Sequence, residues 1–428
     1  MLAWYSLVVL IIAVVFGFID RQIIVLVVEP MKRDLALDDL HIGTLQGLAP
    51  ALFAVLAGFP LAWLADRMDR RWLLVACILF WSAATAARGL AGSFDEMLVL
   101  TTGIAVGEAA LTPIVYSLIP DLFSGRTRQL ANFIFFGAII AGMGLGLMLG
   151  GAALTLIDQL RPSLPLELQS LASWRLACFL VAAPGLIVAL MAIPIPATRV
   201  NRSAATSATT TPVPPLWPFL KENAKAISLI FGGIGVYGSA LGIMTSWLPI
   251  AIMRDLGTPA SSVGIRFGAI LSTSALLGIG LAAVTAGFWR RNAPQAHIIR
   301  AMSVAMALAT IPTALLAWAT SLEQVYLLGG ALLLLFFAGT AFSPTLLQEL
   351  PPAPLRARFS AVSMIIYTIG IAGGPMAVGA ISKYRGESQG LLVIVAVFGA
   401  VALALSAALL ALSEKSFVAM QARNAPDQ

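Results

Sequence analysis

Charge is what this sequence has least of. Only 11% of its 428 residues are Asp, Glu, Lys or Arg, where a soluble globular chain carries about a quarter. With 59% hydrophobic residues and a mean hydropathy of +0.93, that shortage excludes a soluble globular protein and leaves a polytopic membrane protein. Cysteine is nearly absent too. Cys77 and Cys178 both fall in apolar runs and read as small buried hydrophobes, so neither a disulfide framework nor a metal site is expected. The two histidines, His41 and His297, stand at the ends of apolar runs and read as interfacial residues. No basic tract accompanies the net charge of +6, so nucleic acid is excluded as a partner. No Gly-rich stretch ends in Gly-Lys-Ser/Thr, which argues against ATP-driven chemistry, and no cofactor is expected. The N-terminus lacks a basic stretch and a small-residue cleavage site, so Leu2 onward reads as a retained span.

What the chain does have is long apolar runs. Twelve are separated by polar punctuation, at 2–28, 43–65, 73–91, 97–123, 130–157 and 176–195, then 226–253, 264–288, 298–319, 325–347, 359–382 and 390–412. The expected fold is therefore all-α, with twelve transmembrane helices in two six-helix halves. The first half is 1–197 and the second 225–412. Between them 198–224 is rich in Ser, Thr, Ala and Pro and reads as a flexible tether, and 413–428 reads as a short tail. Of the 26 Lys and Arg, 16 fall on the side of the tether and both termini and 7 on the other. By the positive-inside rule the tether and termini are cytoplasmic, and a bacterial inner membrane is the expected location.

Charges inside the runs are the candidate functional residues. Asp20 and Arg21 interrupt an otherwise uncharged run, and Asp20 lies about 12 Å inside its end, too deep for an aspartate to reach water. Charges at such depth cost roughly 2.5–3.5 kcal/mol each on insertion scales, so the pair has to face protein or a wet cavity. Glu108 in the fourth run lies about 16 Å from that helix's outer end, close to the same depth. Two readings stay open: a functional layer, or a structural lock between spans.

The halves repeat. Arg128, Gly142, Gly146 and Gly151 recur 228 positions later as Arg356, Gly370, Gly374 and Gly379. Gly142, Gly144, Gly146, Gly150 and Gly151 are expected to bare one flank of the fifth helix, and Gly370 and Gly374, beside Gly373, one flank of the eleventh. Bare flanks permit close packing or sliding.

The turn after the second run, Ala62-Trp63-Leu64-Ala65-Asp66-Arg67-Met68-Asp69-Arg70-Arg71, resembles the loop signature of the major facilitator superfamily, with Ala62 and Asp69 where that pattern has glycine. Asp69 is expected to tolerate the left-handed backbone that glycine would adopt there. The resemblance implies a gate formed by Asp66, Arg67, Arg70, Arg71, Arg126 and Arg356, with Asp66 closing against the start of the eleventh helix. Asp20-Arg21, Gly107-Glu108-Ala109 and Leu118-Ile119-Pro120-Asp121-Leu122-Phe123 resemble the Spinster-like branch. That branch has an arginine seven residues before the glutamate, where this chain has Thr101; Arg21 then serves alone, or Arg88 compensates.

The resemblance implies a secondary transporter working by alternating access, coupled to protons at Asp20 and Glu108 and not an enzyme. Arg21 is expected to bind the substrate's head, with Tyr237, Thr245, Trp247, Ser272 and Tyr367 lining a more apolar wall in the second half. A cavity of that kind suits an amphipathic organic anion or lipid-like solute, such as a lysolipid or a sphingolipid derivative. Protons and membrane lipids are the other expected partners, and the protein is expected to be a monomer. Alternatives are an organic-acid uptake symporter, a drug-efflux antiporter or, from a different class, a membrane receptor without turnover.

Overall fold

The structure, a computed structural model, describes residues 2–65, 67–196, 215–386 and 390–424. Its helices in chain order are α1 (Leu2–Leu26), α2 (Val28–Leu35), α3 (Asp39–Gln46), α4 (Leu48–Ala65), α5 (Arg70–Arg88), α6 (Phe94–Ala109), α7 (Leu111–Leu122), α8 (Gly125–Leu160), α9 (Leu166–Gln169) and α10 (Ser173–Ala192). The second half adds α11 (Leu216–Glu222), α12 (Ala224–Leu256), α13 (Ala260–Asn292), α14 (His297–Leu315), α15 (Leu322–Thr340), α16 (Ser343–Glu349), α17 (Arg356–Tyr384) and α18 (Leu391–Asn424). Among the described residues, twelve segments are long and apolar enough to cross a membrane, matching the twelve runs of the sequence. Helices are the form such runs must take, because a bilayer offers backbone N–H and C=O groups no partner outside their own segment.

Contacts divide the chain into two compact units, Met1–Ala208 with Gly257–Ser272, and Thr209–Leu256 with Thr273–Gln428. Within unit 1, α8 packs on α1, and the glycines explain how. A β-carbon on Gly146 would lie 2.7 Å from the Phe18 backbone carbon, and one on Gly142 would strike the Phe18 ring. Gly144 and Gly151 point the other way, against 261–272 of α13, where Ser272 Oγ donates to the Ala141 carbonyl at 3.0 Å. The five glycines therefore bare two opposite flanks of α8, where the sequence pattern had suggested one. Gly142, Gly146 and Gly150 recur every four residues and stay on one face, while Gly144 and Gly151 are displaced by about half a turn.

Unit 2 repeats the first pairing. Gly370 and Gly374 on α17 meet Gly235 and Ser239 on α12, and Ser239 Oγ donates to the Gly370 carbonyl at 3.0 Å. Gly373 meets nothing within 4 Å, so it lies off that contact face. Each unit also breaks its fourth span at a corresponding place: α6 ends at Ala109 before Leu111-Thr112-Pro113, and α15 ends at Thr340 before Phe342-Ser343-Pro344. Pro113 and Pro344 fall in the first turns of α7 and α16, where a missing backbone N–H costs least, which suits a restart there.

Three local expectations are corrected. Asp69 has φ −63°, outside the left-handed region; its carboxylate caps α5 by accepting from Arg71 N at 3.0 Å, which glycine cannot do. The end of the tether is helical at Leu216–Glu222, because Phe219 buries its ring against Phe359. The last helix runs on to Asn424, with Phe417 and Met420 buried beyond the apolar run. Residues 198–214 of the tether lie outside the described residues.

Candidate functional site

Three helices of unit 1 bring charge together inside the spans. Arg21 forms an ion pair with Glu108 on α6, and the two ends differ sharply: the Arg21 side chain is 63% exposed and that of Glu108 only 5%. Glycine permits the close approach on the α5 side of α6, whereas a β-carbon on the α1 side would make an ordinary contact. A β-carbon on Gly17 would sit 3.5 Å from Glu108 Oε1, while one on Gly107 would sit 3.0 Å from Trp81 Cβ, so α6 lies tight against α5. Phe18 flanks the Arg21 guanidinium, its ring centre 5.8 Å from Cζ.

Asp20, one residue before Arg21, points into the protein and is 2% exposed. Its charge lies within range of Glu108 and of Arg88, with the Thr85 side chain beside it. Arg88 closes α5; it is 2% exposed and its Nη2 donates to the Asp20 backbone carbonyl at 3.2 Å. Two carboxyl groups and two guanidiniums thus share one layer. Several atoms here have no protein partner, namely Asp20 Oδ1, Glu108 Oε1 and Arg88 Nε, an arrangement that suits ordered water.

The sequence located Asp20, Arg21 and Glu108 by depth, and the structure joins them. Of the two alternatives for the missing cation, Arg88 lies against α1 with Nη2 on the Asp20 backbone carbonyl, and Arg21 lies against Glu108. Thr85 was missed, because a threonine in an apolar run carries no signal of its own.

The residues expected to line the second wall are mostly engaged inside the protein. Trp247 is fully buried and its indole N–H donates to the Pro375 carbonyl at 2.9 Å. The Thr245 hydroxyl donates to Leu241 O at 2.8 Å, and Ser272 is committed to Ala141 O as described. Buried Tyr237 shares a 2.9 Å hydrogen bond with Ser343. Tyr367 is half-buried, its ring 5.8 Å from that of Tyr237.

Asp66 of the gate signature lies outside the described residues. Arg67 is exposed and stacks on Trp63, 3.7 Å from the ring centre. Arg70 donates to Asp121 Oδ2 at 2.7 Å, tying α5 to α7. Arg71 pairs with Asp69 at 3.2 Å and reaches the Ile193 carbonyl at 3.4 Å. Arg126 and Arg356 are exposed in the first turns of α8 and α17.

The family model of the Major Facilitator Superfamily matches residues 10–375. The chain belongs to this superfamily. Its members are membrane transporters, and this chain is a transporter of that fold. Among curated relatives, it is 24% identical over 391 residues to an MFS-type efflux pump of Mycolicibacterium smegmatis, covering 91% of this chain and 86% of that one. It is 24% identical to the sphingosine-1-phosphate transporter SPNS2 of Xenopus tropicalis, covering 87% and 72%. It is 28% identical to human protein spinster homolog 1 over 65% of this chain, spanning about half of that protein (54%). Among solved structures, a bacterial homologue of the human lysosomal transporter Spinster superposes with TM-score 0.77 at 22% identity, covering 98% and 97%. These relatives bear out the Spinster-like resemblance.

Proposed function

We propose that this protein is a proton-coupled secondary transporter of a single-chain amphipathic anion, of lysolipid or phosphorylated sphingoid type. Arg21 carries the reading: it is a guanidinium deep in a span whose side chain is nevertheless open, backed by a buried carboxylate. An open guanidinium presents a planar fork that matches carboxylate or phosphate oxygens. The resemblance to a sphingosine-1-phosphate transporter supports a phosphorylated head group.

Coupling follows from the shared partner. An anionic head on Arg21 competes with Glu108 for the same guanidinium. A carboxylate that loses its cation in apolar surroundings favours its protonated form. Proton and solute therefore assist each other's binding, and by reciprocity each tightens the other by the same factor, which gives symport. The likeness to an efflux pump supports a second reading, antiport, in which a solute competes with protons for Asp20 and Glu108. The gate motif and cytoplasmic termini complete the proposal, with Tyr367, half-open in unit 2, as a further contact.

The test uses proteoliposomes containing NBD-labelled lysophosphatidic acid, with dithionite quenching to report its distribution between leaflets. A pH gradient should drive asymmetry in the wild type and fail to do so in Asp20→Asn and Glu108→Gln. Asymmetry that survives both substitutions returns these carboxylates to a structural role.

A further inference from the structure

Unit 2 gathers cations that the transport scheme does not use, at the end of its helices on the side of the tether. Arg290 and Arg291 close α13, Arg300 lies in the first turn of α14, and Lys415 lies near the end of α18; all four are exposed. Across 288–300 and 410–422 these four stand against a single carboxylate, Glu414. Glu414 accepts from both Nε and Nη2 of Arg300, which fixes the guanidinium and leaves its Nη1 open. Lys415 has no acidic partner among the described residues. Neighbouring elements leave the excess in place: the 221–225 turn adds Lys221 and Lys225 against Glu222, and α16, packed on α14, adds Glu349.

The surface at these cations is concave. Between the 292–296 turn and the ends of α14 and α18 lies an open groove of about 480 Å³, whose polar lining is Asn292, Gln295, Arg300, Glu414 and Lys415. That volume is in the range of small-molecule sites. Phe288 and Trp289, one turn before Asn292, carry rings of the kind that settle at the level of lipid head groups. Toward the membrane centre both helices turn an apolar stripe outward. On α18, exposed Val401, Leu405, Ala408 and Leu412 recur at steps of three and four and share one face with Lys415. On α14, exposed Leu308, Ile311 and Leu315 share a face with Arg300 in the same way. From Lys415 to Leu405 the helical rise is about 15 Å, the hydrocarbon depth of one leaflet.

We infer that this groove binds an anionic phospholipid of phosphatidylglycerol type, its phosphate between Arg300 and Lys415 and an acyl chain along the stripe of α18. Charge complementarity selects this occupant. Lys415 supplies a point charge and Arg300 Nη1 an oriented donor for the phosphate oxygens. The Asn292 amide nitrogen is committed to the Phe288 carbonyl at 2.9 Å, so its oxygen is left to accept from a glycerol hydroxyl. A choline head would instead bring a further cation to a surface that already has too many. The site is separate from Arg21 and does not depend on the transport scheme.

The experiment is native mass spectrometry of delipidated full-length protein titrated with dioleoyl phosphatidylglycerol or dioleoyl phosphatidylcholine. The wild type should bind the anionic lipid more tightly. Lys415→Gln should weaken that binding by about fivefold, the attraction of one basic residue to an anionic lipid surface, and Lys415→Arg should retain it. Arg300→Gln/Glu414→Gln leaves net charge unchanged and no buried charge unpaired, and should weaken binding as well. Arg33→Gln removes an exposed charge from the opposite side and should leave affinity as it is. The inference is overturned if the two lipids bind equally, if Arg33→Gln weakens binding as much as Lys415→Gln, or if both site variants keep wild-type affinity. Inorganic phosphate that raises the melting temperature as much as phosphatidylglycerol, by a gain lost in Lys415→Gln, would make this a site for a soluble anion and overturn the lipid assignment. Should the double variant fail to fold, the Lys415 variants decide by the same readings.

Discussion

Arg21 and Glu108 pair across α1 and α6 with one partner open and the other closed, 63% against 5% side-chain exposure. Substitution at Arg21 therefore has two separable effects. Arg21→Lys keeps a charge for Glu108 but loses the two-pronged geometry, so affinity for labelled lysophosphatidic acid should fall by roughly 10- to 150-fold, the equivalent of the about 1.5–3 kcal/mol of a charge-assisted hydrogen bond. Arg21→Ala should lose binding altogether. Fluorescence titration of monodisperse protein checks both, and unchanged affinity in either variant removes Arg21 from the substrate site.

Trp247 tests whether a buried aromatic in unit 2 serves substrate or scaffold. Trp247→Phe removes the N–H that the Pro375 carbonyl accepts, at a cost of about 1–2 kcal/mol. A lower melting temperature with unchanged probe affinity is the expected result. Weakened affinity at unchanged stability would assign Trp247 to the substrate.

The glycines divide by what a β-carbon would meet. Gly146→Ala should destabilise by about 1–3 kcal/mol, because the added carbon presses on the Phe18 backbone, three residues from Arg21. Gly373→Ala meets nothing within 4 Å and should stabilise by about 0.5–1 kcal/mol through helix propensity. Thermal unfolding in detergent separates the two, and equal effects would contradict the packing described.

Orientation is open to chemical labelling with little background, since Cys77 and Cys178 are both buried. With the termini cytoplasmic, a cysteine at exposed Ser163 should react with an impermeant maleimide on intact cells, and one at exposed Lys415 only after permeabilisation. The opposite pattern would invert the topology.

Asp255 holds the start of α18 by accepting from Leu392 N at 2.7 Å and Gly390 N at 3.2 Å. Asp255→Ala frees both donors and should cost about 1–2 kcal/mol, as loss of a helix cap does. Asp255→Asn, which retains an acceptor, should cost less; thermal unfolding distinguishes them.

Depth along each helix was legible in the sequence, because helical rise is constant and the bilayer thickness sets the length of every apolar run. That is why twelve spans, and the shared level of Asp20, Arg21 and Glu108, followed from residue positions alone. Rotation about each helix axis was not legible. Spans apolar on all sides carry little pattern to say which face meets which neighbour. So only the tertiary structure separated the α8 glycines into two opposed flanks, turned the Trp247 indole onto the Pro375 carbonyl, and directed Arg88 inward to Asp20. Backbone detail at Asp69 also escaped the sequence, since a carboxylate serves a helix cap as readily as it tolerates a left-handed turn, and only the φ angle distinguishes them. Hydrophobicity determined what crosses the membrane; side-chain packing and the need to partner each buried polar group decided what each crossing helix faces.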